Sequence, residues 1–592
     1  MRLIVPYIGE LQEEDARLAH LAEFLGLSIE TLALTSAADP VRFLENALSP
    51  EGSCFVVNPD LMREWVGPEG LPAELTDFLL RRFSHLLVHR LRVNAFDSAM
   101  VAALSRGKLT SVEPIGQGRL FYEVSADASE ICELFAGLAF GPVNPTNDRV
   151  FNVADGGPAL RQLISIDGKP FMAALKLDRA EVLFVASEDV VSLTAEVGNV
   201  PLPAYFSRFV PHAMALRHAA GAECFRPIMS QASIIIDDPL LRMKYGFLNF
   251  DSLLSLANRH NFHAVIAFIP HNFKRNELRI TRMFLENAER LSICFHGNDH
   301  TEAEFASSDP NFLNSLLDCA ENRMAQHLQT TGLRCDRVLA FPQGKFSLEA
   351  MNALKSHNFC AAVNRVQHLA NRPARLTIEE LAQPAVLKYG GFPLYIRHPI
   401  RETQKFNVAF NLFFGRPVLI GEHHEIFENP DALVEIAARI NSVAPGVRWS
   451  NLETVVRDSI LVRDQPDGSR RVRVYAGSVR IANDSDRIRN YVIEWNGFAG
   501  SAIEQVLMDG APCDFVKDVS GIHLSVELAP GVAKDFSLVH RGASAARVNL
   551  SLSWRAHAIV RRRLSEIRDN YLSKNHYLLT AAKALRQTFL KV

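Results

Sequence analysis

Seven short apolar runs between positions 233 and 424 constrain the fold of this chain more than any other feature. They cover residues 233–236, 264–269, 291–295, 337–341, 360–364, 393–396 and 417–420. Each run is β-branched or aromatic and is bounded by a helix-like segment or by turn residues, a pattern typical of buried parallel strands. Because strands and helices alternate in this way, the sequence predicts an α/β barrel.

Polar and ionisable residues directly follow five of these runs. They are Asp237-Asp238, His296 with His300, Pro342-Gln343-Gly344, Arg397-His398 and Glu422-His423-His424. In a barrel of parallel strands these positions share one rim, where active sites are built from several strand ends. We therefore expect these side chains to converge on one pocket.

Three of these residues have the chemistry of a metal site. His296 and His300 are four positions apart, so a helical turn after Gly297 would place both rings on one face. Asp238 adds a carboxylate, which gives two imidazoles, one carboxylate and an open position for water, as zinc prefers in catalytic sites. An HxxxH pair alone is common in surfaces and cores. The alternative for the aspartates is an N-cap pair before Pro239.

The order and spacing of these motifs resemble those of the polysaccharide deacetylases of the NodB-homology type, a carbohydrate esterase group. The matching elements are Asp237-Asp238 after a strand, the His296 and His300 pair, the Phe341-Pro342-Gln343-Gly344 turn, and a late strand that ends in histidine. The resemblance covers roughly a third of the chain, about one domain. It implies a distorted (β/α)7 barrel and one divalent metal, for which zinc is the first expectation.

The resemblance also implies a role for each motif residue. Asp238, His296 and His300 would be metal ligands, and Asp237 the general base. The backbone amide of Gln343 would stabilise an oxyanion.

A histidine at the end of the last strand would protonate the leaving amine. We choose His424 and keep His423 as the alternative. The family's arginine partner of the base is missing, since Ala340 occupies its approximate place. Arg397 could supply that charge, and Arg242 is a second candidate. The aromatic-acidic fourth motif of the family is not recognisable.

Aromatic residues near the predicted rim are candidates for stacking on a sugar ring. Tyr245, Phe346 and Tyr395 are assigned to substrate binding on this ground. The alternative is that they are ordinary core residues.

Outside the barrel region the patterning predicts further units. The predicted divisions are an α/β open-sheet domain at 1–145, a mixed connecting region at 146–229, the barrel at 230–455, a β-sandwich at 465–554 and a C-terminal amphipathic helix at 555–592. The sandwich prediction rests on alternating runs at 472–475, 491–495, 523–528 and 548–552. A length of 592 residues is consistent with several domains.

Charge composition and sequence patterns limit which binding partners and which cellular compartment we expect. With 63 basic and 66 acidic residues, no overall positive field favours nucleic acid. There is no signal-peptide pattern, no apolar run long enough to span a bilayer, and no paired cysteine motif. We therefore expect a cytoplasmic protein, with the basic C-terminal helix docking on the body or a protein partner, or else anchoring peripherally at the inner membrane surface.

Two functions remain after the sequence analysis. The first is a metal-dependent deacetylase that removes N-acetyl or O-acetyl groups from a glycan or glycan precursor, as the resemblance implies, in bacterial polysaccharide biosynthesis. The second is a catalytically weak relative that acts as a glycan-binding or scaffold subunit of envelope polysaccharide assembly, which the missing arginine and fourth motif would permit. Hydrolysis of a non-sugar amide is a variant of the first.

Overall fold

The structure is a computed structural model, which describes most of the chain. The described residues are 1–35, 39–47, 53–156, 159–197, 202–301, 303–365, 368–369, 372–373, 375–498, 503–518, 521–540 and 550–572. The predicted helix beyond residue 572 and the start of the predicted strand at 548–552 lie outside these ranges.

A nine-stranded mixed sheet forms the N-terminal part of the molecule. Its spatial order is Ser28–Ala33, Arg2–Tyr7, Ser53–Val57, His85–Val88, Ala180–Val185, Lys169–Leu177, Arg161–Ile166, Tyr122–Val124 and Ala139–Phe140. The first five strands are parallel, and the last four are joined by antiparallel pairings. One sheet thus takes strands from both sides of position 145. The division of the chain into domains stays a prediction.

Helices cover this sheet, and a separate two-stranded antiparallel sheet lies beside it. The helices are Glu13–Phe24, Pro40–Ala47, Pro59–Val66, Ala73–Arg82, Ala95–Leu104 and Phe206–Ala220, and the pair is Leu109–Pro114 with Arg149–Val153. Asp167 and Gly168 connect two of the sheet strands as a two-residue hairpin, and both have positive φ angles, +52° and +73°.

A closed barrel of seven parallel strands forms the middle of the chain. The strands, in chain order, are Gln231–Asp237, Ala264–Phe268, Leu291–Phe295, Cys335–Ala340, Ala361–Asn364, Leu394–His398 and Val418–His423. Each pairs in parallel with the next, and the first pairs with both the second and the last, which closes the ring. The predicted (β/α)7 barrel is confirmed, since each apolar run coincides with one strand.

Helices surround the barrel, and one short helix closes its amino end. The outer helices are Phe250–His260, Leu278–Glu286, Pro310–Thr331, Leu348–Ser356, Lys405–Phe413 and Asp431–Val443. Helix Leu452–Arg457 packs its apolar side chains into the barrel interior with Ile235 and Leu419. Ile234 and Ile236 belong instead to the outer layer between strands and helices. The alternation along a strand therefore decides which residues face the barrel axis.

Two further sheets pack face to face after the barrel. One contains Arg226–Pro227, Ile460–Asp464, Arg470–Val474, Arg489–Asn496, Gly521–Leu528 and Val516–Lys517, and the other contains Ser478–Ala482, Ala533–His540, Ile503–Met508 and Ala511–Cys513. They share one apolar core that includes Trp495 and Phe536. Three of the four predicted strands lie here. The fourth, at 548–552, is wrong at its end, because Leu552 begins a helix.

The C-terminal helix Leu552–Ile567 continues as a π-helical turn, Arg568–Leu572, and lies on the barrel. Its docking is visible in the hydrogen bond from Tyr245 Oη to Asp569, at 2.8 Å. None of the helices in the described part of the chain has the length and apolar character needed to cross a membrane.

Candidate metal centre and active site

Three predicted metal ligands meet at the carboxyl end of the barrel. Asp238 Oδ1 lies 3.5 Å from His296 Nε2 and 3.2 Å from His300 Nε2. Ligand atoms held about 2.0–2.1 Å from a tetrahedral zinc ion are separated from each other by roughly 3.3 Å. The spacing of the three side chains therefore fits a divalent cation between them.

Hydrogen bonding fixes the orientation of His296. Its Nδ1 lies 2.9 Å from the carbonyl oxygen of Ala340, so that nitrogen donates and Nε2 keeps its lone pair. His296 Nε2 and Asp238 Oδ1 are both buried and have no hydrogen-bond partner within the described residues. Buried polar atoms without partners are costly, and a bound cation would satisfy both. The donor set thus fits a metal on structural grounds.

Backbone conformation at the site departs from ordinary geometry. Asp238 has φ +84°, His300 has φ +54° and Gln343 has φ +57°. Non-glycine residues with positive φ are uncommon and cluster at functional sites, where the surrounding structure holds them. Gly297 also has positive φ, and a Cβ there would lie 2.1 Å from Glu304 Oε1, so only glycine fits.

Glu304 organises the loop that carries His300, and the sequence analysis did not identify it. Its carboxylate accepts from the backbone amides of Asn298 (2.8 Å), Asp299, His300 and Thr301 (each 3.3 Å), and from the Thr301 hydroxyl. Burial raises the pKa of Glu304, while these amides act in the opposite direction. A single carboxylate therefore defines the path of the chain between the two histidines.

Asp237 is paired with Arg397 across the barrel. Arg397 Nη1 and Nη2 donate to the two Asp237 oxygens at 2.6 and 2.8 Å. Burial opposes ionisation of Asp237, but the charge and hydrogen bonds of Arg397, together with His296 and His423, outweigh it and lower the pKa to about 2. Gly421 makes this possible, because a Cβ there would lie 2.6 Å from Arg397 Cδ. Arg397 thus supplies the charge that the sequence lacks at Ala340.

Arg242 does not take part in this pair. Its side chain is exposed, and its Nε donates to the carbonyl of Arg275 at 3.3 Å.

A cavity of about 190 Å³ opens beside the metal ligands. Its lining includes Asp237, His296, Gln343, Arg397 and His423. Five residues from the ends of five separate strands therefore share one small space, as the common rim predicts.

The structure places His423 in this cavity, not His424. Leu419 belongs to the barrel interior, so Gly421 and His423 follow it on the axis side of the strand. His423 Nδ1 lies 3.4 Å from Asp238 Oδ2. His424 is buried, with its ring centroid 4.9 Å from that of Tyr245. Of the two candidates, His423 therefore lines the cavity and His424 packs outside it against Tyr245, and the assignment of the acid stays a prediction.

The aromatic residues assigned to substrate binding do not line the cavity. Phe346 is fully buried and stacks on Phe341, with ring centroids 4.9 Å apart. Tyr395 is 1% exposed inside the barrel, where its hydroxyl donates to the carbonyl of Val456 at 3.3 Å. Tyr245 is also 1% exposed, with its hydroxyl bonded to Asp569. Phe346 and Tyr395 are core residues, because each continues an apolar cluster.

The C-terminal helix contacts the rim beside the metal ligands, which the sequence analysis did not foresee. Trp554 Nε1 donates to Asp299 Oδ2 at 3.1 Å, and Arg561 Nε donates to the carbonyl of His300 at 3.2 Å. Asp569 Oδ2 lies 3.4 Å from His424 Nε2. The helix therefore supports the loop that positions His300.

Comparison with known proteins gives structural matches only. No family model matches the sequence, and a search of curated proteins also returned no match. The structure is similar to that of Agd3, described as a novel carbohydrate deacetylase, with 9% identity and a TM-score of 0.47 over 91% of this chain and 98% of that one.

Family 4 carbohydrate esterases are also among the similar structures. One, from Streptomyces lividans in complex with acetate, is 12% identical with a TM-score of 0.23, over 38% of this chain and 93% of that chain. An acetyl xylan esterase from Clostridium thermocellum with a cobalt ion is 13% identical with a TM-score of 0.25, over 38% and 90% of the two chains. At these identities the likeness concerns the fold, which the closed barrel shows by itself.

Proposed function

We propose that the protein is a metal-dependent deacetylase that hydrolyses acetyl groups on a glycan or glycan precursor. The observation that carries the proposal is the convergence of Asp238, His296 and His300 beside a cavity that also contains the Asp237–Arg397 pair. Zinc suits two imidazoles and one carboxylate. The similar structures, described as a carbohydrate deacetylase and a family 4 carbohydrate esterase, agree with this substrate class.

A divalent cation bound to Asp238, His296 and His300 would polarise the acetyl carbonyl and lower the pKa of water. Asp237, ionised through its pairing with Arg397, accepts a proton from the attacking water. The water oxygen bonds to the carbonyl carbon, and the backbone N–H of Gln343 stabilises the resulting oxyanion.

His423 then protonates the sugar nitrogen as the carbon–nitrogen bond breaks, which releases acetate and a free amine. The same residues would release an alcohol from an O-acetyl group.

One of the two arguments for a catalytically weak subunit no longer holds. That role depended on the missing arginine, and Arg397 meets the need for a cation beside the base. The unrecognised fourth motif remains a difference from the family pattern.

Acetate release from a panel of acetylated sugars tests this proposal. The purified protein, loaded with zinc, is incubated with polymeric, oligomeric and nucleotide-linked N-acetyl sugars and with O-acetylated xylan, and acetate is quantified. We expect release from at least one sugar class and loss of both release and bound metal in His296→Ala. A protein that binds no divalent metal would contradict the proposal. So would a metal-loaded protein that cleaves a non-sugar acetamide and none of the acetylated sugars.

A further inference from the structure

A second cavity, of about 550 Å³, lies on the same rim between the loop after the first barrel strand and the C-terminal helix. The loop contributes Arg242, Lys244 and Tyr245, and the helix contributes Arg563 and Tyr571. We call this space the basic groove. Tyr245 separates it from His424, which follows the cavity residue His423 in the chain.

Positive charge dominates the basic groove. Among the described residues that line it, four are cations, Arg242, Lys244, Arg275 and Arg563, and one is a carboxylate, Glu566. Arg275 holds Glu566 with two hydrogen bonds, one of them at 2.6 Å. Arg563 lies 3.9 Å from the same carboxylate. Glu566 therefore neutralises at most one of the four cations.

The remaining cations have no carboxylate of their own within the described residues. Lys244 is exposed and forms no ion pair there, and Arg242 is bonded only to a backbone carbonyl. The neighbouring Arg562 is 2% exposed, and its Nε has no hydrogen-bond partner in the described part of the chain. A buried guanidinium without a bonded carboxylate adds to the positive potential at this edge of the rim.

The groove also offers a flat apolar surface. Tyr571 is 72% exposed, and a tyrosine ring can stack on a sugar while leaving its hydroxyl to water. Asn570, in the same lining, can hydrogen-bond a sugar hydroxyl. A ligand that is both anionic and sugar-like matches this combination.

We propose that the basic groove binds an anionic group of the acetylated substrate, either a carboxylate on an adjacent sugar or a phosphate. This inference rests on the proposed deacetylase function, because it assigns the substrate class of that site. Substrates of this class carry their acetylated sugar within reach of the cavity and their charge in the groove. Neutral acetylated glycans lack the second contact.

The test uses three probes and compares their turnover. The probes are a neutral N-acetylglucosamine pentamer, a carboxylate-bearing oligomer of alternating N-acetylglucosamine and glucuronate, and uridine diphosphate N-acetylglucosamine. The double variant Arg242→Glu/Lys244→Glu reverses two exposed charges. Its matched control is Arg282→Glu, which reverses an exposed charge on helix Leu278–Glu286 of the same barrel.

We expect the wild type to favour one anionic probe, and the double variant to lose about tenfold in kcat/KM for it, because two exposed ion contacts with the anion are removed. Turnover of the neutral pentamer and the behaviour of Arg282→Glu should stay within about twofold. The anionic probe that responds identifies the group as carboxylate or phosphate. Arg563→Glu, on the opposite wall, should repeat the loss if the loop variant is unstable.

Binding measured by calorimetry separates failure of this inference from failure of the proposed function. If no probe releases acetate but the double variant binds an anionic probe about tenfold more weakly than wild type, the groove is supported and the deacetylase is not. If both groove variants bind and cleave the anionic probes as the wild type does, the inference is overturned.

Discussion

The carboxyl edge of the N-terminal sheet and the carboxyl rim of the barrel both carry buried polar side chains, but they differ in how those side chains are paired. In the sheet, Asp15 accepts from Asn58 Nδ2 at 2.8 Å and contacts His89 Nε2 at 3.1 Å, so both its oxygens have partners. At the rim, Asp238 Oδ1 and His296 Nε2 have no hydrogen-bond partner within the described residues.

Both locations are places where α/β folds bind ligands, so position alone does not separate them. The difference lies in the carboxylates: both oxygens of Asp15 have partners, whereas Asp238 Oδ1 has no hydrogen-bond partner among the described residues. A polar cluster of the first kind stabilises a fold, and one of the second kind is a candidate site.

Substitution of Asp238 by asparagine should have the largest effect. The variant removes a charged ligand, so we expect bound zinc to be lost and acetate release to fall about 10³-fold or more, since a Lewis acid contributes several kcal/mol to catalysis. Metal content by mass spectrometry and acetate release are the measurements. The control Asp15→Asn should keep its metal and activity while unfolding at a lower temperature. Loss of metal in the control would remove the distinction between the two regions.

The Asp237→Asn variant should keep its bound metal but release acetate much more slowly. Removing the proposed base is expected to lower kcat by about 10²–10³-fold, a usual contribution of general base catalysis. Its control is Asp336→Asn, a buried aspartate at the start of the fourth barrel strand, which accepts from the Leu452 amide at 3.0 Å. We expect that control to retain wild-type kcat. A wild-type rate in Asp237→Asn would exclude Asp237 as the base.

Substitutions of the two adjacent histidines, His423 and His424, should affect different properties of the protein. His423→Gln is expected to lower kcat by about 10²-fold through loss of the proton donor. His424→Gln should mainly lower the melting temperature, because His424 is buried against Tyr245 and Asp569. Steady-state kinetics and thermal unfolding of both variants provide the comparison. The reverse pattern would restore His424 as the acid.

The smallest effect concerns stability of the N-terminal sheet at low pH. Burial, and then the charge of His89, lower the pKa of His212 to about 3, compared with about 6.5 when unfolded. Between these values the unfolded chain binds a proton that the native chain does not. His212 therefore stabilises the fold fully above pH 6.5, and this contribution is lost progressively as pH falls toward 3.

The variant His212→Phe should lack this dependence. We expect wild type to lose about 1 kcal/mol more than the variant between pH 7.5 and about 5.5, measured as hydrogen-exchange protection of strand His85–Val88. Acetate release at pH 7.5 should be equal in the two proteins. If hydrogen-exchange protection depends on pH in the same way in the wild type and in His212→Phe, then His212 is not held neutral in the native state.

Much of the barrel was predictable because its signals are local. Each strand is a continuous apolar run, and closure of the ring brings the residues after those runs to one rim, which explains why Asp237, Asp238, His296 and His300 could be placed together. Choosing between His423 and His424 requires knowing that the Leu419 side chain points into the barrel. A strand that is apolar on both faces does not reveal which alternate residues point inward.

The remaining features depend on contacts between distant parts of the chain. Trp554 bonds to Asp299 across 255 positions, and no local pattern reports where a C-terminal helix will dock. Glu304 carries no local sequence signal for its role, although its carboxylate accepts hydrogen bonds from four backbone amides. Phe346 and Tyr395 were assigned to the rim on residue type, which does not distinguish a stacking platform from a core side chain.

The position of the C-terminal helix in the chain affects the order of events during synthesis. All seven barrel strands are made before Trp554, Arg561 and Asp569 leave the ribosome. A growing chain can therefore form the ring of strands while the loop bearing His300 still lacks its last supports. The centre reaches its final arrangement only when translation has passed this helix, so fragments that end after the barrel would contain the ligands without the contacts that hold them.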